Sequence, residues 1–261
     1  MSIRHLLVYG FLNIFSEQMN SVCMATYNGA LYIKPQIESI LKQLHADDEL
    51  IISDDSSTDN TLEVIKAVCD SRVIILEGNR FRDPIKNFEH ALKSARGVFI
   101  FLSDQDDVWI DGKYEKMLTV LEEFDLVVSD SIIVDENLAV LHPSFFAYFG
   151  SGKGILKNMI RSTYYGSCMA FRQNVLKLAM PFPDTKEIGH DLWIGLVAEL
   201  TGRVCFLTQP MLLYRRHKNT FSSAGVGLSS RSVGQKFYGR VVMIWELCKF
   251  ILRNKLKRLK N

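Results

Sequence analysis

The sequence predicts an α/β fold, a mostly parallel sheet covered by helices on both faces, and three observations predict it. Between residues 21 and 130, short runs rich in β-branched and aromatic residues recur, such as Val98-Phe99-Ile100-Phe101-Leu102. Continuous rather than alternating apolar character marks strands buried on both faces. Stretches with apolar residues at helical spacing separate these runs, and strands alternating with helices imply parallel βαβ units. Each run also ends in a polar turn, so the turns gather at one edge of the sheet. A chain of 261 residues holds one domain of this kind with a well-filled core.

Taken in order, residues 1–18 come first. Arg4 followed by Leu6-Leu7-Val8-Tyr9-Gly10-Phe11-Leu12 has the outline of a short signal segment, but Ser16-Glu17-Gln18 makes a poor cleavage site. This stretch is expected to be an N-terminal extension with no part in the chemistry. Strands are expected at 21–26, 50–53, 73–76, 98–102 and 126–129, with helices near 35–45, 59–69, 84–95 and 112–123. The turns between them are Tyr27-Asn28-Gly29, Asp54-Asp55-Ser56-Ser57-Thr58-Asp59, Gly78-Asn79-Arg80 and Ser103-Asp104-Gln105-Asp106-Asp107. The second half is less regular. A Gly- and aromatic-containing connection covers 135–165, a strand 168–172 and a helix 190–200 closed by Gly202. Two short strands, 204–207 and 211–214, then lead into Arg215-Arg216-His217. The domain is bounded at 19–230, with halves at 19–131 and 132–230, and residues 231–261 form a separate helix.

That helix carries Phe237, Val241, Ile244, Trp245, Cys248, Ile251, Leu252, Leu256 and Leu259 at offsets of three and four. This is one apolar stripe, with Arg240, Lys249, Arg253, Lys257 and Lys260 around the rest. Residues 231–261 hold nine Lys and Arg against Glu246 alone, a net +8 in a chain whose total is +2, so the body is acidic. A basic tail on an acidic body speaks against a nucleic-acid binder, whose basic surface would lie across the domain. The basic amphipathic helix suits an anionic membrane surface; docking of the stripe on the protein's own core is the alternative. Nowhere do about 18 apolar residues run together, so no spanning helix is expected. Five widely spaced cysteines without a CxxC pair read as reduced core residues of a cytoplasmic protein.

The chemistry is concentrated in Ser103-Asp104-Gln105-Asp106-Asp107-Val108-Trp109, three carboxylates and an indole at a strand exit. In open α/β sheets, ligands bind outside the carboxyl ends of the strands. Carboxylates crowded there repel one another unless a cation intervenes, and hard oxygens with Asp-x-Asp spacing suit Mg²⁺ or Mn²⁺, commonly alongside a phosphate-bearing substrate. Asp54 and Asp55 close another strand. Capping by Asp59 or Thr58 accounts for part of that turn, whereas two carboxylates at the strand exit are candidates to accept from a nucleobase N–H or a ribose hydroxyl.

Five segments in one order resemble the family 2 glycosyltransferases: Cys23-Met24-Ala25-Thr26-Tyr27-Asn28-Gly29, Ile52-Ser53-Asp54-Asp55-Ser56-Ser57-Thr58-Asp59, Leu102-Ser103-Asp104-Gln105-Asp106-Asp107-Val108-Trp109, Gly189-His190-Asp191-Leu192-Trp193 and Leu213-Tyr214-Arg215-Arg216-His217-Lys218-Asn219. The resemblance runs from Ser21 to Ser222 and is strongest to bacterial rhamnosyltransferase-type members that build surface polysaccharide. It implies the Rossmann-like GT-A fold, with 19–131 as the nucleotide-binding half and 132–230 as the acceptor-binding half. It also implies an inverting, metal-dependent hexosyltransferase that works in the cytoplasm, peripheral to the inner face of the membrane. Such an enzyme takes a nucleotide-diphosphate sugar, with dTDP-rhamnose favoured, and a lipid-linked glycan acceptor.

The resemblance implies roles residue by residue. Asp106 is the expected direct ligand of Mg²⁺ or Mn²⁺, with Asp104 reaching the ribose or the metal shell, and His217 is the third ligand. A divalent cation on the diphosphate stabilises the leaving charge. Arg215 or Arg216 would pair with phosphate in the bidentate manner open to Arg. Thr26, Tyr27, Asn28, Asp54 and Asp55 would contact the nucleotide, and Arg82 would approach the diphosphate or remain solvated. Displacement at the anomeric carbon needs a base for the acceptor hydroxyl proton. Asp191 is that residue, Glu187 being the nearest competitor, and the helix dipole is the bland explanation for an acid in a first turn. Trp109, His190 and Trp193 are the acceptor-side candidates, with core packing the alternative for the indoles.

Two other classes compete. A haloacid-dehalogenase-type phosphatase also places Asp-x-Asp after a strand, but near the N-terminus and with a later Asp pair, and neither condition is met. A degenerate, non-catalytic sugar-nucleotide-binding protein is disfavoured by the joint presence of Asp106, Asp191 and His217.

Overall fold

The computed structural model describes residues 18–217 and 231–258, without the side chains of 256–258. The expected extension therefore lies outside the described residues except for Gln18, as do Lys218 and Asn219 of the last motif. Strands β1 (Ser21–Thr26), β2 (Glu49–Asp54), β3 (Val73–Leu76) and β4 (Phe99–Ser103) lie in the order β3-β2-β1-β4 and are all parallel. Helices α1 (Ile33–Leu41), α2 (Thr61–Lys66) and α3 (Pro84–Ser94) make the crossovers. Every residue of β2 and β4 is buried, including Glu49, Ser53 and Asp54 of β2, as befits central strands whose apolar runs face helices on both sides.

The rest of the sheet is mixed. It continues from β4 through β8 (Met169–Arg172), β6 (Leu126–Val134) and β9 (Val204–Arg215) to β5 (Val108–Trp109), with β7 (Val140–His142) beside β6. β8 is antiparallel to both β4 and β6, while β6 and β9 are parallel. Periodicity reports burial and not direction, so β8 entering antiparallel was not readable in advance. The strands expected at 204–207 and 211–214 are one strand. Its ladder with β6 passes from Ser129↔Leu207 to Asp130↔Pro210, so Thr208 and Gln209 bulge out where a proline cannot donate.

The remaining helices are α4 (Lys113–Leu121), α5 (Phe145–Phe149), α6 (Ile155–Ile160), α7 (Gln173–Ala179), α8 (His190–Thr201) and α9 (Val233–Arg258), with a 3-10 turn at Gly166–Cys168 before β8. Helix α9 departs from expectation in its orientation. Its buried residues are Met243, Leu247 and Phe250, while Phe237, Val241, Ile244, Trp245, Ile251 and Leu252 of the expected stripe are exposed. The inner face packs Phe250 edge-on against Trp193 with ring centroids 5.9 Å apart, and Arg253 donates to the Leu178 carbonyl at 3.0 Å. Docking of the expected stripe on the core is thereby overturned: a different face docks. The cysteines also divide, Cys23 and Cys168 being buried but Cys69 and Cys248 exposed.

Candidate active site

The exits of β1, β2, β3 and β4 meet at one edge, and three carry a non-glycine residue in the left-handed region: Asn28 (φ 49°), Ser56 (φ 59°) and Arg82 (φ 51°). Backbone of this kind persists only where neighbouring contacts hold it. Asn28 accepts from Thr58 N–H at 2.8 Å and donates its own N–H to Ser57 Oγ at 2.9 Å, which locks the first two turns together. Asp54 accepts from Ser57 N–H at 2.9 Å, and Asp55 accepts from the backbone N–H groups of Phe81 and Asp83. Asp59 accepts from Thr61 N–H at 3.1 Å, although the N-cap itself is Asn60. Both strand-exit carboxylates are thus tied into the turns they were expected to project from.

Gln105, unremarked in its motif beside three acids, joins the first turn to the acidic one. Its Oε1 accepts from Thr26 Oγ1 at 2.5 Å and from Tyr27 N–H at 2.9 Å, and its Nε2 donates to the Tyr27 carbonyl at 3.1 Å. Glycine at 29 leaves room for this clamp, since a Cβ there would stand 2.3 Å from Gln105 Oε1. The side chain of Tyr27 remains exposed.

The acidic turn is built around a charge imbalance. Asp106 Oδ2 lies 2.8 Å from His217 Nε2, and the His217 ring packs on Tyr32 at 4.7 Å between centroids. Asp107 is buried. Its Oδ1 accepts from Arg215 N–H at 2.9 Å and its Oδ2 has no hydrogen-bond partner. Burial, then the charges of Asp106 and Asp104, push the Asp107 carboxyl well above the usual range. Burial, then Asp106, pushes Asp104 up to about 7.

Lys113, in the first turn of α4, is fully buried, donates to the Ser167 carbonyl at 2.5 Å and sits 4.7 Å from the Trp109 ring centroid. Burial lowers its ammonium to about 8. A lysine opening a helix reads as solvated in sequence, and only the fold shows it under the acids.

Asp191 opens α8 across from β4. Gly166 marks the approach, because a Cβ there would stand 3.3 Å from His190 Nε2, 3.7 Å from Leu102 Cδ1 and 3.9 Å from Asp191 Cβ. The Asp191 charge contributes to raising both Asp104 and Tyr165. His190 stacks on Phe88 at 4.1 Å between centroids, and burial lowers its pKa, so its ring is neutral at neutral pH. Asp104, Asp106, His217 and Asp191 therefore share one edge of the sheet.

Other expected residues lie elsewhere. Trp109 is buried against Phe101, and Trp193 is buried with Nε1 donating to the Ala179 carbonyl at 2.9 Å; neither indole presents a face to a sugar. An apolar ring beside a strand or inside a helix gains more from the core than from solvent. Arg215 also turns inward, donating from Nε to the Asp106 carbonyl at 2.7 Å and from a terminal nitrogen to the Glu136 carbonyl at 2.6 Å. It braces the segment that carries His217 instead of reaching outward for phosphate. Arg216 is half-buried beside Tyr214. Glu187, the competing base, pairs with Arg231, two residues before α9.

Among the described residues, no three His, Cys, Asp or Glu side chains close around one point as a preformed metal cage. The donor set still fits Mg²⁺ or Mn²⁺. Such ions are commonly held by one or two carboxylates with substrate phosphates and water completing the shell. Asp106, His217 and the desolvated Asp104 are the residues that would hold one.

A stability prediction follows from Asp104. A carboxyl raised from 3.8 to about 7 binds its proton more tightly folded than unfolded, so stability falls as pH rises through that window and remains lower above it. In chelator at pH 8, Asp104→Asn should raise the melting temperature by about 2–4 °C or more. The gain should shrink as pH falls and vanish well below 3.8, where the wild-type carboxyl is protonated in both states. A melting curve insensitive to the substitution at pH 8 would contradict the desolvation argument.

A family model described as glycosyl transferase family 2 matches residues 21–178. The chain is 35% identical over 185 residues to the Escherichia coli UDP-Glc:alpha-D-GlcNAc-diphosphoundecaprenol beta-1,3-glucosyltransferase WfaP, covering 70% of this chain and 71% of that protein. It is 27% identical over 231 residues to the dTDP-rhamnosyl transferase RfbG of Shigella flexneri, covering 80% and 76%. Among solved structures, S. aureus TarS 1-349 in complex with UDP-GlcNAc superposes with a TM-score of 0.62 at 21% identity. That match covers 77% of this chain and 59% of the TarS chain, a likeness of fold.

Proposed function

The chain belongs to glycosyl transferase family 2, and from that premise we propose that it moves a sugar from a nucleotide-diphosphate donor to a hydroxyl of a lipid-linked glycan in polysaccharide synthesis, with inversion and with Mg²⁺ or Mn²⁺. The observation that carries this reading is the 2.8 Å pairing of Asp106 with His217 at the sheet edge that Asp104 and Asp191 also share. The phosphatase alternative loses its ground, because the acidic turn follows the fourth strand of a family 2 domain.

In this reading the donor lies along the exits of β1, β2 and β4. Thr26, Tyr27 and Asn28 border the nucleotide, with Asp54 and Asp55 holding the turn shapes that face it. Asp104, Asp106 and His217 meet the diphosphate, and Arg216 supplies a further cation. A bound divalent cation would neutralise charge on the departing diphosphate. The acceptor hydroxyl oxygen forms a bond to the anomeric carbon from the face opposite the diphosphate, whose C–O bond breaks, so the configuration inverts. Asp191 takes the hydroxyl proton. Neutral His190, stacked on Phe88, borders the acceptor side. A lipid-linked acceptor brings the protein to a membrane surface as a peripheral protein.

Relatives are named for UDP-glucose and for dTDP-rhamnose, so these donors and their free nucleotides make the decisive screen. A ligand that binds only the folded state raises apparent stability. With Mn²⁺, the cognate donor at about 100 times its Kd should raise the melting temperature by about 5 °C or more, and chelator should abolish the shift. No shift with any nucleotide sugar would overturn the reading; a shift indifferent to chelator would remove the metal from it.

A further inference from the structure

We infer that the outer face of α9 is a lipid-binding surface which lays this helix along an anionic bilayer while its inner face stays docked on the domain. The inference deepens the proposed function, resting on it for the presence of a lipid-linked acceptor. Its ground is the exposed face of α9 itself.

Helix α9 has two apolar faces. Met243, Leu247 and Phe250 are buried on the domain, whereas the opposite side exposes Phe237 (67%), Tyr238 (60%), Ile244 (50%), Trp245 (63%) and Leu252 (61%) over four helical turns. Isolated exposed apolar residues are ordinary, but a continuous run of large ones on a single helix face marks an interaction surface. A second element adjoins it. Arg240 donates to the Ile160 carbonyl at 3.1 Å, and α6 exposes Leu156 (76%) and Ile160 (69%).

Charge selects the occupant. Arg240 borders the stripe on one side, Lys249 lies 6.0 Å from the Trp245 ring centroid on the other, and Lys255 is exposed at its far end. Lys153, Lys157 and Arg161 flank Leu156 and Ile160 on the neighbouring element. Long basic side chains bordering an apolar face keep their charges in the headgroup layer while their stems lie along the acyl boundary. Among the described residues no helix is long and apolar enough to cross a membrane, which fits a helix that lies on the surface. Of the three tryptophans, Trp109 and Trp193 are buried, so Trp245 is the natural reporter.

The test uses the full chain with vesicles of phosphatidylcholine alone or mixed with phosphatidylglycerol. Wild type should sediment with the anionic vesicles and shift its tryptophan emission to the blue, with weaker partitioning to neutral vesicles and at high salt. Ile244→Ser with Trp245→Ser should cut anionic partitioning by about tenfold or more, since both side chains lose their buried area in the lipid. Helical circular dichroism should be unchanged and the melting temperature little changed, because both side chains lie on the exposed side of the helix, away from Met243, Leu247 and Phe250. Equal binding to neutral and anionic vesicles, no binding by wild type, or a dimer that the substitutions dissociate without changing sedimentation would each overturn the inference. The donor-dependent thermal shift, measured on the same preparations, separates these failures from a failure of the glycosyltransfer reading.

Discussion

Asp191→Asn should reduce transfer by about 10³-fold while leaving Mn²⁺-dependent stabilisation by the donor nucleotide at its wild-type size. A positioned base is generally worth about 10²–10⁴-fold, and its contribution arises in the transition state, not in the donor complex. The substitution suits the question because it is nearly isosteric. Asp191 Oδ1 accepts from Leu192 N–H at 2.7 Å in the first turn of α8, and an Asn carbonyl can accept the same bond. Loss of the negative charge should also relax Asp104, whose pKa the Asp191 charge helps to raise. The two readouts must separate, with kcat falling and the donor thermal shift remaining. Retention of near wild-type turnover would leave proton removal to another group.

Asp106→Asn should lower both readouts together. The amide can keep its contact with His217, presently 2.8 Å, so the turn should hold its shape. It loses the charge that attracts a cation. Charge stabilisation by a catalytic metal is worth several kcal/mol, so kcat/KM should fall by about 10³-fold. The thermal shift that Mn²⁺ and nucleotide produce together should also disappear. If nucleotide with Mn²⁺ stabilised Asp106→Asn as it stabilises wild type, Asp106 would hold no metal, and the pairing with His217 would be structural. Measured together, the two variants distinguish a residue that acts on the acceptor from one that acts on the donor.

Much of this site is local in sequence. Asp104, Asp106 and Asp107 follow an apolar run that could only be a buried strand, and the exits of parallel strands share an edge, so their grouping with Asp54 and Asp55 needed no coordinates. Convergence of the second half was legible only as resemblance, because His217 lies 111 residues from Asp106 and Asp191 sits on a helix of the other half. Gln105 and Lys113 were not legible as parts of the site. A glutamine and a lysine beside acids read as solvated polar residues until the neighbouring turns close over them. The tryptophans misled for a related reason. Sequence records an indole but not what lies above it, and Phe101 and Phe250 cover the two expected at the sugar.

By itself, the sequence determined the βαβ alternation, the edge where the strand-exit turns gather and the presence of a C-terminal helix, because periodicity and turn chemistry act over a few residues. Only the tertiary structure decided which arginine turns inward, which indoles are covered and which face of α9 meets the domain. A helix with apolar residues on two sides offers two faces of similar hydrophobic value. The face with Met243, Leu247 and Phe250 is the buried one, and there α8 presents Trp193 to Phe250, a packing match between segments more than 50 residues apart that no local pattern encodes.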